Sequence, residues 1–212
     1  MAVTDGQQTP TLEQIILDGV KAATSNLNVA MPGVVIEYDP ATQKCSVQPS
    51  IKRVYDDGTT VNLPIITNVP VAFPRAGKAF ISLPIKADDT VLLIFSQRSI
   101  DKWLSQGGVV KADDPRMHSL SDAVAIAGVY PFTDSIDASA DHIRIQNDKS
   151  IIDVKADGTY QIKNDSNELM DLVVQLVDAI IAMKINTMLG PQPPVNLATF
   201  TALKPKFESL KG

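Results

Sequence analysis

Three features of the sequence predict its fold class. Short segments of alternating apolar and polar residues follow one another from residue 33 to residue 95, with turn residues roughly every 8–12 positions. A second, sparser set of alternating strands occupies 141–165. Helical periodicity is confined to the two ends of the chain. Together these predict a mainly β protein with helical ends. The first strand set reads as a five-stranded Greek-key barrel of the OB type. The second reads as a short stalk of strands shared between identical chains, followed by a bundle of C-terminal helical hairpins. The expected boundaries are 1–32 for an N-terminal amphipathic helix, 33–132 for the barrel, 133–165 for linker and stalk, and 166–212 for the helical domain.

The first helix is expected over 11–27. Thr11 caps it, with Gln14 as the capping-box partner. Leu12, Ile15, Ile16, Val20 and Ala23 share one face, and Asn26-Leu27-Asn28 ends it. That face can pack back on the barrel or dock on a neighbouring subunit; the sequence leaves both open. Strands follow at 33–38 and 43–49, joined by the turn Asp39-Pro40-Ala41-Thr42. Residues 51–55 extend the second strand, Asp56-Asp57-Gly58 signals a hairpin, and 61–66 is the return strand.

The stretch 69–103 holds three more strands. Residues 69–73 end at Pro74-Arg75-Ala76-Gly77, and 79–85 alternate again. Lys86-Ala87-Asp88-Asp89 is a polar turn before 90–95, which is apolar almost throughout, as a strand buried on both faces would be. Pro70, Pro74 and Pro84 lack N–H donors and belong at strand starts, edges or bulges. Residues 99–103 form a helical turn with Trp103 packing down, and 122–129 supply the closing strand.

Residues 141–165 alternate strictly, with turns at Asn147-Asp148-Lys149 and Ala156-Asp157-Gly158. Ile143, Ile145, Ile152, Val154, Tyr160 and Ile162 fall on one face. Six apolar side chains are too few to offset the ordering of these strands, and the strand edges stay open. Further copies of the same strands, wound round a common axis, would close both deficits. Asp165 is expected to cap a helix running to Lys184, with Glu168 as its reciprocal partner. Leu169, Leu172, Leu176 and Met183 take heptad a and d positions. Gly190-Pro191-Gln192-Pro193-Pro194 turns the chain into a last helix over 197–210, which Pro205 should kink or divide. Three such hairpins together would bury what one chain cannot. The ten apolar residues named above on the sheet and on the first of these helices are therefore the expected oligomer interface.

Composition narrows function. The net charge is −5 and aromatics make up 5% of the 212 residues, so neither a basic footprint nor a base-stacking platform is expected. Cys45 is the only cysteine, so no intramolecular disulfide is possible, and it reads as a small buried hydrophobe. Residues 1–10 carry no secretory signal and no run of about 18 apolar residues exists, so a soluble protein made in a cytosol is expected. His118 lies among Asp113, Asp114, Ser119, Ser121 and Asp122. Triad members converge from distant segments, so a loop brace is expected there rather than catalysis. His142 lies opposite the isoleucine face and is expected to be exposed. No catalytic, cofactor or metal residue is assigned.

Several stretches together resemble one known family. They are Tyr38-Asp39-Pro40-Ala41-Thr42, Val47-Gln48-Pro49, Val69-Pro70-Val71-Ala72-Phe73-Pro74-Arg75, the run from Val91 to Trp103, and Asp114-Pro115-Arg116-Met117-His118-Ser119-Leu120-Ser121-Asp122-Ala123. In order and spacing they resemble the central spike proteins of contractile-tailed phage baseplates, over about residues 30–130. The resemblance implies a homotrimer whose OB-fold end abuts a baseplate hub protein and whose β-helical stalk points at the host envelope. It implies a virion protein of the tail baseplate. Some related spikes carry a lysozyme domain, but no segment here has the length or the carboxylate pair in an apolar setting that glycoside hydrolysis needs, so no enzymatic activity is expected. Many members bind an apex iron through a His-x-His pattern, which is missing here; the spike is then blunt, or a separate spike-tip protein caps it. The alternatives are an OB-fold module for single-stranded nucleic acid and a cell-wall hydrolase built on His118.

Overall fold

The computed structural model describes residues 10–25, 27–136 and 138–211. The stretch read for a signal, apart from Pro10, lies outside these residues, as do Asn26 at the end of the first helix and Asp137 in the linker. The chain folds as two compact units, Met1–Ser135 and Ile136–Gly212.

In the first unit, α1 (Leu12–Ser25) begins with the expected capping box: the Gln14 N–H bonds Thr11 Oγ1, and Gln14 Oε1 accepts from the Thr11 N–H at 2.8 Å. Its apolar face stays exposed, so the helix does not pack on the barrel. The strands are β1 (Ala30–Asp39), β2 (Lys44–Pro49), β3 (Arg53–Val54), β4 (Thr60–Val61), β5 (Ile66–Ala72), β6 (Arg75–Ala76), β7 (Ala79–Phe80) and β8 (Thr90–Phe95). After them come α2 (Asp101–Gln106) and β9 (Ala123–Ala127). Strands β1, β2, β5, β9 and β8 close a barrel in that order. All its neighbours are antiparallel except β5 and β9, which run parallel. This is the OB-like barrel expected.

Inward residues fill the barrel with branched side chains: Val35, Val47, Val69, Val91 and Leu93 are wholly enclosed, with Cys45, Phe95 and Ala125 beside them. At Gly33 in β1 a Cβ would lie 2.5 Å from Val47 Cγ1 and 3.1 Å from Leu93 Cδ1. Only glycine lets β1 cross the narrow interior there. The turn before β8 is tied to β1, where Val35 donates to Asp89 O and accepts from the Asp88 N–H, both at 2.9 Å.

Several expectations are corrected. β8 is not buried on both faces; Val91, Leu93 and Phe95 point inward while Ile94 is exposed. The strand read at 61–66 splits, because Pro64 has no N–H to pair; Val61 ends β4 and Ile66 starts β5. The strand read at 79–85 shrinks to β7, whose partner β6 is only two residues long. Residues 51–55 do not prolong β2 but turn into the separate β3–β4 hairpin. Trp103 does not pack down; it is half-exposed on α2.

The second unit contains β10 (His142–Asn147), β11 (Ser150–Lys155), β12 (Tyr160–Lys163), α3 (Leu169–Ala182), β13 (Ile185–Thr187), β14 (Gly190–Gln192) and α4 (Leu197–Glu208). β10, β11 and β12 form an antiparallel sheet in that order. α3 is capped by Glu168, whose carboxylate accepts from the Asp171 N–H at 2.7 Å, rather than by Asp165. The turn expected at Gly190–Pro194 is instead half of the β13–β14 hairpin. α4 packs on α3 around Val177, and Lys204 bonds Asp178 at 2.8 Å. It runs undivided through Pro205. Among the described residues no helix is long and apolar enough to cross a membrane.

Candidate interaction surface

Alternation along β10–β12 gives this small sheet two unlike faces. Cross-strand register aligns Ile143 with Val154 and Tyr160, and Ile145 with Ile152 and Ile162. All six are 40% to 70% exposed in the single chain. Leu169, Leu172 and Leu176 of α3 are exposed as well, and so is Met183, which lies just past the helix in extended backbone because α3 ends at Ala182 rather than running to Lys184, while Val177 is buried. The two surfaces are continuous. Ile145, Ile152 and Ile162 from the sheet and Leu169 and Leu172 from α3 line one open groove of about 510 Å³. Five of the ten residues expected at an oligomer interface thus line one groove, and all ten are exposed on their own chain.

The opposite face of the sheet carries charge. Asp153 is only 1% exposed and accepts from Arg144 Nε at 2.8 Å and Nη2 at 3.0 Å. His142 Nε2 lies 3.5 Å from the same carboxylate. The Arg144 hydrogen bonds hold the Asp153 carboxyl below the usual range against the opposing effect of burial, and the Arg144 charge reinforces them. His142 is therefore not exposed as expected; its ring is tucked beside Asp153 with its side chain 16% exposed. The outer edge of β12 is capped by the chain end, where the Tyr160 N–H donates to Leu210 O at 2.9 Å. Among the described residues β10 pairs on one side only.

In the barrel unit, the loop around His118 is organised by Arg116. Its guanidinium reaches Asp122 Oδ2 at 2.7 Å and Oδ1 at 2.8 Å, Asp101 at 2.6 Å and Asp114 at 3.3 Å. Asp122 is fully buried and also accepts from the Ile100 N–H at 3.0 Å. His118 instead braces the chain entering β1: its Nδ1 lies 3.1 Å from Asn28 O, and Asn28 Nδ2 donates to His118 O at 2.8 Å. Asp113 pairs with Lys102, and Ser119 bonds Ser121. The acids and hydroxyls near His118 in sequence are thus committed elsewhere. Among the described residues no cluster of three His, Cys, Asp or Glu side chains is placed to hold a metal ion. The sequence reading missed both buried carboxylates. Asp153 left one signal, a charge in register with Arg144 on the polar face; Asp122 left none.

Residues 31–128 match the family model described as the phage protein Gp138 N-terminal domain. The barrel segment fits a phage-protein family. The match covers β1 through β9 and stops before the second unit. It is nearly the span that carries the resemblance to baseplate spikes. No curated protein matches the chain. The fit points to a structural, virion-associated phage protein.

Proposed function

We propose that the protein is a homotrimeric central spike of a contractile-tail baseplate, which passes contraction force to the host envelope. The observation that supports it most is the uncovered apolar surface running from the β10–β12 sheet onto α3. Such a surface is unstable in water, and copies of the same chain round an axis would bury it and pair the open edge of β10. The barrel, which carries the family match, would seat on a hub protein. The C-terminal end would meet the envelope directly or through a tip protein. The exposed face of α1 gives a further contact for a neighbouring subunit. The role is mechanical, with no catalysis, cofactor or nucleic acid: interlocked chains resist pulling because none can leave alone.

Light scattering on a sizing column tests this. The expected mass is three times 22.8 kDa. Ile152→Asp would place three charges near one axis, where burying unpaired charge is costly, and should give monomers with a folded barrel. A monomeric wild type, or an Ile152→Asp variant that stays trimeric, refutes the proposal.

A further inference from the structure

One side of the barrel is built unlike a solvated sheet. An antiparallel strand with one face in a core ordinarily turns polar residues outward. Strands β1, β8 and β9 do not. Cross-strand register sets Ala30, Ile94 and Val124 in one row, and Pro32, Leu92 and Ile126 in the next. These six alternate with the buried Gly33, Val91, Leu93 and Ala125, so they point outward. None of the six is polar. They make an uncharged apolar wall on the outside of the barrel.

Helix α1 has the matching deficit. Leu12, Ile15, Ile16 and Val20 are each more than half exposed, and no residue of α1 is buried. A helix of 14 residues is marginal in water by itself, so it needs a surface to lie on. Its length, about 21 Å at 1.5 Å per residue, equals that of the six-residue β8, about 20 Å. Neither face carries a charge that the other would strand.

The chain holds α1 off its own wall. Asn28, three residues past the helix, is clamped to His118 by contacts at 2.8 Å and 3.1 Å. Lys21 Nζ lies 4.0 Å from Asp56, in the hairpin that links β2 to β5. The helix therefore leans to the β2 side of its own barrel, away from β8 and β9. A helix laid on the wall of the next copy would cover both surfaces with one contact. That contact joins unlike patches, so it closes as a ring in which each copy gives one helix and receives another.

We propose that α1 of each copy packs across the β1–β8–β9 wall of its neighbour. The proposal rests on the spike reading for the number of copies and deepens it by naming the surface on which α1 docks.

The test places one cysteine on each surface, Ile16→Cys on α1 and Ile94→Cys on the wall, and treats the full chain with a short bis-maleimide. Cys45 is buried, and the two single variants are the controls. The double variant should give inter-chain bands on a denaturing gel, with the links mapping to residues 16 and 94. Links within one chain overturn the proposal, because α1 then lies on its own barrel. Links between copies of the single Ile16→Cys variant overturn it too, because the helices then meet one another, and so does a double variant that forms no link. In Ile94→Cys, adding Leu12→Asp and Val20→Asp should speed maleimide labelling about tenfold or more, with unchanged circular dichroism; an unchanged rate counts against the contact. Light scattering on the same samples separates the two readings. A trimer without the inter-chain link refutes the helix contact alone, and a dimer with it refutes the spike reading alone.

Discussion

Replacing Asp122 with alanine should cost the barrel unit about 3 kcal/mol. The carboxylate is 0% exposed and takes two hydrogen bonds from Arg116 and one from the Ile100 N–H. Burial by itself would raise its pKa, but those bonds outweigh it, and the carboxyl lies below the usual range. The alanine variant strands the Ile100 N–H, worth about 1–3 kcal/mol. It also breaks a buried ion pair, a class of change worth about 3–5 kcal/mol. The lower end applies, because the Arg116 side chain is 26% exposed and keeps Asp101 and Asp114. Asp122→Asn keeps an acceptor for Ile100 and should lose about half as much. Urea unfolding followed by fluorescence reads this directly, since Trp103 is the only tryptophan and lies on α2, whose start Asp122 holds. A loss for Asp122→Ala within about 0.5 kcal/mol of zero, the range of neutral surface changes, would refute the view that this residue fastens the loop.

Gly33→Ala should lower the barrel's stability by about 1–3 kcal/mol, seen as a reduced thermal midpoint, because Val47 is wholly buried and cannot swing away from the new Cβ. Cys45 should resist thiol reagents at pH 8 and react fully only in denaturant, since burial pushes its thiol up to about 11. The lowered pKa values of Asp122 and Asp153 give a pH dependence of definite sign. Their stabilisation is complete above the unfolded value of 3.8 and is lost as pH falls through the lower native values. Urea midpoints should therefore fall between pH 7 and pH 3, and the fall should be smaller in Asp153→Asn.

Strands that carry their own periodicity were legible in the sequence: Thr90–Phe95 was read with its observed ends, and the turns after β1, β3, β10 and β11 stand where Asp-Pro, Asp-Gly or Asn-Asp announced them. Pairing was not legible. Val71 lies beside Ala125 in the parallel β5–β9 contact, and nothing local connects residues so far apart. The segment 79–85 alternated well enough to read as a strand, yet only Ile85 enters the core, because β6 offers too short a partner. β13 and β14 are three residues each, too short for any periodicity to register. For the interaction surface, period two collected the six sheet residues onto one face, and heptad spacing marked the α3 residues. The merging of Ile145, Ile152 and Ile162 with Leu169 and Leu172 into one groove depends on how α3 follows β12, which no pattern encodes. Arg116 and Asp122 were hidden because they meet across an irregular loop.

The closing order of the barrel has a consequence for its synthesis. β9 is the last strand made, and it lies between β5 and β8. Until Ala123–Ala127 leaves the ribosome, both neighbours keep a bare edge, and Val71, Leu93 and Phe95 have no far wall to meet. Pairing of this kind, distant along the chain, places folding in the range of roughly milliseconds to seconds. The nascent protein therefore passes through an interval in which an adhesive, half-walled sheet must be kept from other copies of itself emerging nearby.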